Sequence, residues 1–328
     1  MASTHAIRLH AHGGPEVMRW EEVPLPEPGP GEVLVRHEAV GFNFTDVNHR
    51  RGEHPEPTVF PVGIGQEAAG TVEALGAGVT AFRIGEPVAY ATRPAGSYAE
   101  RRVMPADRLV ALPDHIDTVT AAGSLLKGMT VEYLTHRAYR VQPGDVVLLH
   151  AAAGGVGLIA CQWLRHLGAT VIGTVSTADK AALAAAHGCH HTILYTREDV
   201  AGRVRDLTGG RGAQVVYDSV GRTTFEASLA ALAPRGHFVG FGAASGPIPP
   251  FAPGRLGALG SLNMTWTRLP HFTGTRPELL ASAQAFFDVV RQGIVRPHVS
   301  QRRPLHEAAA VHRDAETRLT SGSVVMLP

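Results

Sequence analysis

Val146-Val147-Leu148-Leu149-His150-Ala151-Ala152-Ala153-Gly154-Gly155-Val156-Gly157-Leu158 decides how this chain of 328 residues is read. Val146–Ala151 is an apolar run of strand formers, and the residues from Leu158 onward carry helical spacing. Between them, Ala152-Ala153-Gly154-Gly155-Val156-Gly157 matches G-x-G-x-x-G with Ala152 in the first glycine position. Gly154 lets backbone approach a pyrophosphate, and Gly157 lets the helix pack close on the strand. The first helical turn supplies free N–H groups and the positive end of the dipole. No Gly-Lys-Ser/Thr follows, so this is not a phosphate loop of the Walker kind.

Working outward, apolar runs begin near Val146, Thr170, Thr192, Gln214 and Gly236, with starts 24, 22, 22 and 22 residues apart. Helix-like segments lie between them at Leu158–Leu167, Ala178–His187, Glu198–Leu207 and Thr223–Ala233. Alternation of this length predicts βαβ crossovers and a doubly wound parallel sheet, and the units do not repeat in sequence as a solenoid would. Upstream, Ala6–Leu9, Met18–Glu22, Glu32–Asn43, Glu67–Leu75 and Arg83–Ala89 read as short strands divided by Pro- and Gly-rich turns, the pattern of a mainly-β unit. Ala121–Tyr139 reads as a helix crossing between the two textures. Downstream, Pro277–Gly293 reads as an amphipathic helix and Arg318–Pro328 as a strand-like tail that could return to the first domain.

The composition excludes several classes. A chain 44% hydrophobic and 18% charged is too apolar for disorder. Thirty Lys and Arg against 29 Asp and Glu leave +1, without the broad basic field of a nucleic-acid binder. No secretory signal, lipid anchor or membrane-spanning run stands out. Two cysteines, Cys161 and Cys189, form no disulfide framework and fit a reducing compartment, so a cytoplasmic location is expected. Eighteen histidines invite a metal, but C-x-x-C, H-E-x-x-H and any clustered Cys/His set are missing, so none is expected. Ser124-Leu125-Leu126-Lys127 fits S-x-x-K without its companion motifs and reads as helix core.

Nineteen residues after Gly157, where an NAD site usually carries an acid, stands Ser176, with Lys180 four residues later. A carboxylate there would repel a 2′-phosphate, whereas a hydroxyl and an ammonium hold one through charge-assisted bonds. The pair therefore points to NADPH. The plain alternative is a solvated helix lysine.

These segments, with Val215-Val216-Tyr217-Asp218-Ser219-Val220-Gly221, Ser124–Thr130 and Gly41-Phe42-Asn43-Phe44-Thr45-Asp46, resemble the NADPH:quinone reductases. That family is the zinc-free branch of the medium-chain dehydrogenases/reductases, which also contains ζ-crystallin. The resemblance covers nearly the whole chain. It implies a GroES-like domain at 1–125, completed by 266–328, around a Rossmann domain at 126–265, a cleft between them, and a homodimer. Zinc relatives carry Cys near position 43 and Gly-His-Glu, where this chain has Asn43 and Gly65-Gln66-Glu67.

By resemblance, Asn43 and Asp46 line the cleft near the nicotinamide, bordered by Thr130 and Tyr133. Gly154, Gly155 and Val156 meet the pyrophosphate, and Ser176 and Lys180 take the 2′-phosphate. Tyr195, helped by Arg197, neighbours the adenosine phosphate. Ser219 and Phe241 end the next two strands, and Arg318 reaches back from the tail. The plain alternatives are core packing for Tyr195 and Phe241 and a loop cap for Asn43 and Asp46. Three departures from the family stand out: Asn48 and His54, where aromatics are usual, and the pair Trp266-Thr267, where Arg-Pro is usual.

The expected activity is NADPH-dependent reduction of a quinone, by hydride or by single electrons, with Asn43 on a carbonyl oxygen and Asp46 orienting either the cofactor amide or its ribose. The nearest alternative is reduction of an activated C=C bond in an enone, alkenal or enoyl thioester, for which His54 is a candidate proton donor. An alternative of another class is a ζ-crystallin-like structural or RNA-binding role, which the near-zero net charge disfavours.

Overall fold

The computed structural model describes residues 2–53 and 58–328. The chain divides into two compact units: Met1–Lys127 with Gly274–Phe287 and Pro297–Pro328, and Gly128–Thr273 with Asp288–Arg296.

The first unit opens with β1 (Ser3–Leu9), β2 (Met18–Pro24), β3 (Glu32–Gly41), α1 (Phe44–Arg51), β4 (Val62–Gly63), β5 (Glu67–Leu75), β6 (Pro87–Ala91), β7 (Arg101–Pro105) and β8 (Val110–Ala111). Helix α2 (Thr118–Tyr133) then carries the chain across the boundary at Lys127. The expected strand Glu32–Asn43 stops at Gly41 because Asn43 is already the cap of α1. The expected start at Arg83 moves to Pro87, since the Glu86 N–H closes a turn on the Arg83 carbonyl at 3.1 Å. Helix α2 gives way at Leu134–Ala138 to a wider π turn, closed by the Tyr139 N–H on the Leu134 carbonyl at 3.2 Å. The Thr135 hydroxyl bonds back to the Val131 carbonyl there, which bends a helix end.

The second unit runs β9 (Val146–Leu149), α3 (Gly155–His166), β10 (Thr170–Val175), α4 (Ala178–Ala186), β11 (His191–Leu194), α5 (Val200–Leu207), β12 (Ala213–Asp218), α6 (Phe225–Ala231), β13 (Leu232–Gly240), α7 (Gly254–Ala258) and β14 (Asn263–Trp266). Its six strands lie in the order β11-β10-β9-β12-β13-β14, and every neighbouring pair is parallel. Numbered within the unit, that is 3-2-1-4-5-6, so the order reverses between β9 and β12. Leu148, Ile172, Ile193, Val216 and Phe238, one from each of five strands, are buried together. Both faces of such a sheet are covered, which is why these strands read as continuous apolar runs.

The tail supplies α8 (Arg276–Arg291), β15 (Val299–Pro304), α9 (Ala308–Glu316) and β16 (Ser323–Leu327). Strand β16 pairs with β3, so the chain's end completes a seven-stranded sheet of order β15-β16-β3-β5-β6-β8, with β7 added on β3. The smaller sheet is β2-β1-β4. Among the described residues, no helix is long and apolar enough to cross a membrane.

One close approach fixes how α3 meets the loop before it. A Cβ on Gly157 would lie 2.4 Å from the Ala151 carbonyl oxygen and 2.6 Å from the Ala152 carbonyl, both backbone atoms that cannot swing away. A Cβ on Gly154 would meet only the Ala151 oxygen, at 3.2 Å. Gly157→Ala is therefore expected to cost about 1–3 kcal/mol, the range for overpacking. Thermal denaturation should show a lower Tm for Gly157→Ala and much less change for Gly154→Ala.

Candidate functional site

Parallel strands deliver their carboxyl ends to one edge, and most of the residues singled out in the second unit lie there. Ala151, after β9, turns the chain with a left-handed φ of 54°. Gly154 caps α3 without any side-chain bond, and the Leu158 N–H is the first to return, to the Gly154 carbonyl at 2.9 Å. The N–H groups of Gly155, Val156 and Gly157 thus have no acceptor within the helix, and Gly154, Gly155 and Val156 are only partly buried. This is an anion-binding geometry that leaves room for a diphosphate against bare backbone.

After β10, Ser176 is followed by Thr177, whose hydroxyl caps α4 by accepting the Lys180 N–H at 3.3 Å. Ser176 and Lys180 thus bracket a helix start and are both partly buried. Tyr195 follows β11, 38% exposed and so not core, with its N–H on the Val175 carbonyl at 3.2 Å. Arg197 is exposed on the same loop. Ser219 follows β12 and Phe241 follows β13, both partly buried.

The loop carrying Ser219 is held from beneath. Asp218 Oδ1 accepts the Val220 and Gly221 N–H groups at 2.7 and 2.9 Å, and Oδ2 accepts the Thr224 and Ser228 hydroxyls at 2.7 and 2.9 Å. Because Ser228 donates to Asp218, His150 Nε2 must donate to Ser228 (2.9 Å), which leaves Nδ1 to accept from Thr174 (3.0 Å). Burial holds the His150 pKa below its ordinary value, in keeping with that neutral tautomer. The constellation resembles a nucleophile triad only on paper, since Ser228, His150 and Asp218 are all buried.

Tyr133 lies on the sheet's carboxyl side. The Thr267 hydroxyl donates to the Gly240 carbonyl at the end of β13 (3.1 Å), so it accepts from the Tyr133 hydroxyl (3.2 Å). Burial pushes the Tyr133 pKa up to about 12, which keeps that hydrogen in place. Its ring stacks on Phe272 with centroids 4.2 Å apart and planes 6° from parallel. Thr130, one turn earlier, is buried. Trp266 is 41% exposed, and its ring covers Gly240, where a Cβ would lie 2.4 Å from it.

In the first unit, Asn43 and Asp46 open α1. Asp46 Oδ2 accepts the Asn43 N–H at 3.0 Å, one half of a capping box, and also the Tyr98 hydroxyl at 3.0 Å. The Asn43 side chain donates to Glu67 Oε2 at 2.8 Å. Behind Tyr98 the donors run one way. Arg50 Nη1 donates to His312 Nδ1 (3.3 Å), so Nε2 carries the ring hydrogen and donates to the Tyr98 oxygen (3.2 Å). Burial and then the Arg50 charge pull the His312 pKa down to about 3, so the ring stays neutral. Arg50 also grips Glu316 through two nitrogens, at 3.2 and 2.7 Å. Asp46 is fully buried, and in this geometry it holds Asn43 rather than reaching outward. Arg318 ends α9 with a left-handed φ of 60° and is exposed. His54 lies outside the described residues. Sequence reasoning missed Glu67, Lys127, Tyr98 and His312, and also Phe272 and Thr267 as partners of Tyr133.

Burial raises the Asp46 pKa to about 7, against the lowering effect of the Asn43 N–H, the Tyr98 hydroxyl and Lys127. Oδ1 is buried with no hydrogen-bond partner, so the charge is solvated on one side only. Between about pH 4 and 7 the folded carboxyl keeps a proton that the unfolded one releases, so this group costs stability as pH rises through that window and the cost is complete above it. Urea denaturation should show Asp46→Asn losing less stability than the parent from pH 4 to 8. The difference should be a few kcal/mol, at about 1.4 kcal/mol per pKa unit.

The sequence model of the alcohol dehydrogenase GroES-like domain matches residues 29–114, and that of the zinc-binding dehydrogenases matches residues 155–284. The residues do not fit zinc: among those described, no group of three or more His, Cys, Asp or Glu converges, and Cys161 and Cys189 are buried in the second unit. A quinone oxidoreductase of Pseudomonas aeruginosa is 48% identical over 98% of this chain and 99% of its own. A 2-haloacrylate reductase of a Burkholderia species is 47% identical over 98% of each chain. The crystal structure of Escherichia coli quinone oxidoreductase complexed with NADPH superposes with a TM-score of 0.96 at 42% identity, covering 100% of both chains. Identity near one half over the full length, on a doubly wound sheet inserted in a mainly-β unit, leaves one assignment: the chain belongs to the quinone oxidoreductase family, in the zinc-independent branch of the medium-chain dehydrogenases/reductases.

Proposed function

We propose that this protein is an NADPH-dependent oxidoreductase that reduces quinones, working in the cytoplasm as a homodimer. The observation that carries the cofactor is the carboxyl edge of the parallel sheet. An uncapped helix start follows β9, and after β10 the Ser176 hydroxyl and the Lys180 ammonium bracket a helix start whose first turn also holds Asp179. The acceptor class is supported by full-length relatives named for quinone reduction. The dimer is supported by β14, an edge strand of the sheet whose residues are largely exposed.

When bound, NADPH supplies the hydride or electrons. Gly154, Gly155 and Val156 meet its pyrophosphate, aided by the free N–H groups of the first turn and the α3 dipole. The Ser176 hydroxyl and the Lys180 ammonium bind the 2′-phosphate, with Tyr195 beside it. Ser219, Phe241, Thr130 and Tyr133 flank the cofactor along the sheet edge, and Arg318 adds a cation. Asn43, fixed by Asp46 and Glu67, presents its amide to the cofactor and acceptor. An electron-poor quinone needs little electrophilic activation, so the protein's task is orientation and exclusion of water, and solvent returns the protons.

A second reading is favoured by the relative named 2-haloacrylate reductase: reduction of an activated C=C bond with the same cofactor. The two separate on a panel of a 1,4-quinone, an ortho-quinone, an alkenal and a haloacrylate, followed by loss of the reduced-nicotinamide absorbance. Quinone turnover alone supports the first reading. Haloacrylate or alkenal turnover alone moves the function to ene reduction. Lys180→Ala should raise the KM for NADPH about 10- to 100-fold and spare NADH, the loss of a charge-assisted bond worth about 1.5–3 kcal/mol. An unchanged KM for NADPH would refute that assignment. Light scattering should report a dimer mass.

A further inference from the structure

Glu67, at the start of β5, is wholly buried, and its carboxylate is filled by three donors of its own unit. Oε1 accepts the Leu126 N–H at 2.7 Å, and Oε2 accepts both Lys127 Nζ at 3.0 Å and Asn43 Nδ2 at 2.8 Å. Lys127 is itself only 5% exposed. An ion pair this deep gains little stability over an apolar replacement, because desolvation offsets the attraction. What it does fix is polarity. A carboxylate only accepts, so the Asn43 amide must turn its NH2 toward Glu67 and its carbonyl Oδ1 away. A buried carboxylate stripped of its counter-charge takes up a proton and can then donate. The amide could then turn over and present NH2 in place of Oδ1.

We propose that Lys127 is a positioning residue: acting through Glu67, it fixes which end of the Asn43 amide faces the bound cofactor. Oδ1, which accepts the Asp46 N–H in the capping box of α1, is then held with its second lone pair turned to an N–H or O–H group of the cofactor. This rests on the proposed function, which puts Asn43 beside the cofactor. The lysine of Ser124-Leu125-Leu126-Lys127 thereby has a task that needs no nucleophile. It also accounts for a charge kept inside a helix whose residues on either side, 121–125 and 128–131, are buried.

The test is a double-mutant cycle read by NADPH binding, from the cofactor's fluorescence, without any acceptor present. Glu67→Gln with Lys127→Met removes both charges together, which buried pairs commonly tolerate. Lys127→Met alone, which strips Glu67 of its counter-charge, serves if the double variant does not fold. The expected result is a Kd for NADPH raised about 10-fold, one hydrogen bond's worth, with Asn43→Ala raising it by a similar factor. The charge-removing change should add nothing further in the Asn43→Ala background. An unchanged Kd in the Asn43-containing protein, or an equal loss in both backgrounds, would overturn the role of Lys127. Asn43→Ala with an unchanged Kd would instead defeat the reading that puts Asn43 at the cofactor, and the proposal with it.

Discussion

Six strands that all run the same way can be joined only by crossovers that carry the chain back to the starting end. Every strand then delivers its carboxyl end, and the loop after it, to one edge of the sheet. Gly154–Gly157, Ser176, Tyr195, Ser219 and Phe241 come from five different βα units, yet parallel pairing alone brings them to that edge. The reversal of order between β9 and β12 opens the crevice where such sheets bind ligands, and the glycine loop follows β9. Gly157 then sets how near α3 comes, since backbone atoms of Ala151 and Ala152 occupy the place of any Cβ. Chain direction, a turn and one missing side chain together produce a polar edge that fits a dinucleotide.

The first unit solves a different problem, which is how to keep polar groups inside without losing their orientation. Two directed sets of hydrogen bonds do this. Arg50 donates to His312, His312 to Tyr98, and Tyr98 to Asp46, which accepts the N–H of Asn43. Lys127 and the Asn43 side chain both donate to Glu67. Each member has its donor and acceptor roles fixed by the next, so Asn43 is held at its backbone by one set and at its side chain by the other. Such networks act as a unit, and both of these end on Asn43.

Much of this was legible in the sequence, for identifiable reasons. The second unit repeats strand, turn and helix at near-constant spacing, and its central strands β9 and β10 are apolar because both faces are covered, so its element starts fall within a few residues of expectation. The first unit was harder. Helix α1 carries only Phe44 and Val47 as apolar residues in Phe44–Arg51, so no helical stripe announces it, and its capping pair reads equally well as a loop. Strands β7 and β8 are short and lean on β3 and β6 rather than on a pattern of their own. The partners of Tyr133 lie 134 and 139 residues away, at Thr267 and Phe272, where no local signal points back.

The sequence by itself determined the doubly wound sheet, the glycine loop, the Ser176–Lys180 pair and the return of the tail. These are local or periodic features, written in the spacing of apolar residues, glycines and charges along one stretch of chain. Only the tertiary structure decided that Asp46 faces inward, that His312 is neutral with its hydrogen on Nε2, and that Lys127 and the Asn43 amide meet on Glu67. Those outcomes depend on burial and on donors and acceptors from β5, α1, α2 and α9, which are far apart in sequence. Burial and hydrogen-bond direction arise only when the elements pack, so no single stretch of chain can encode them.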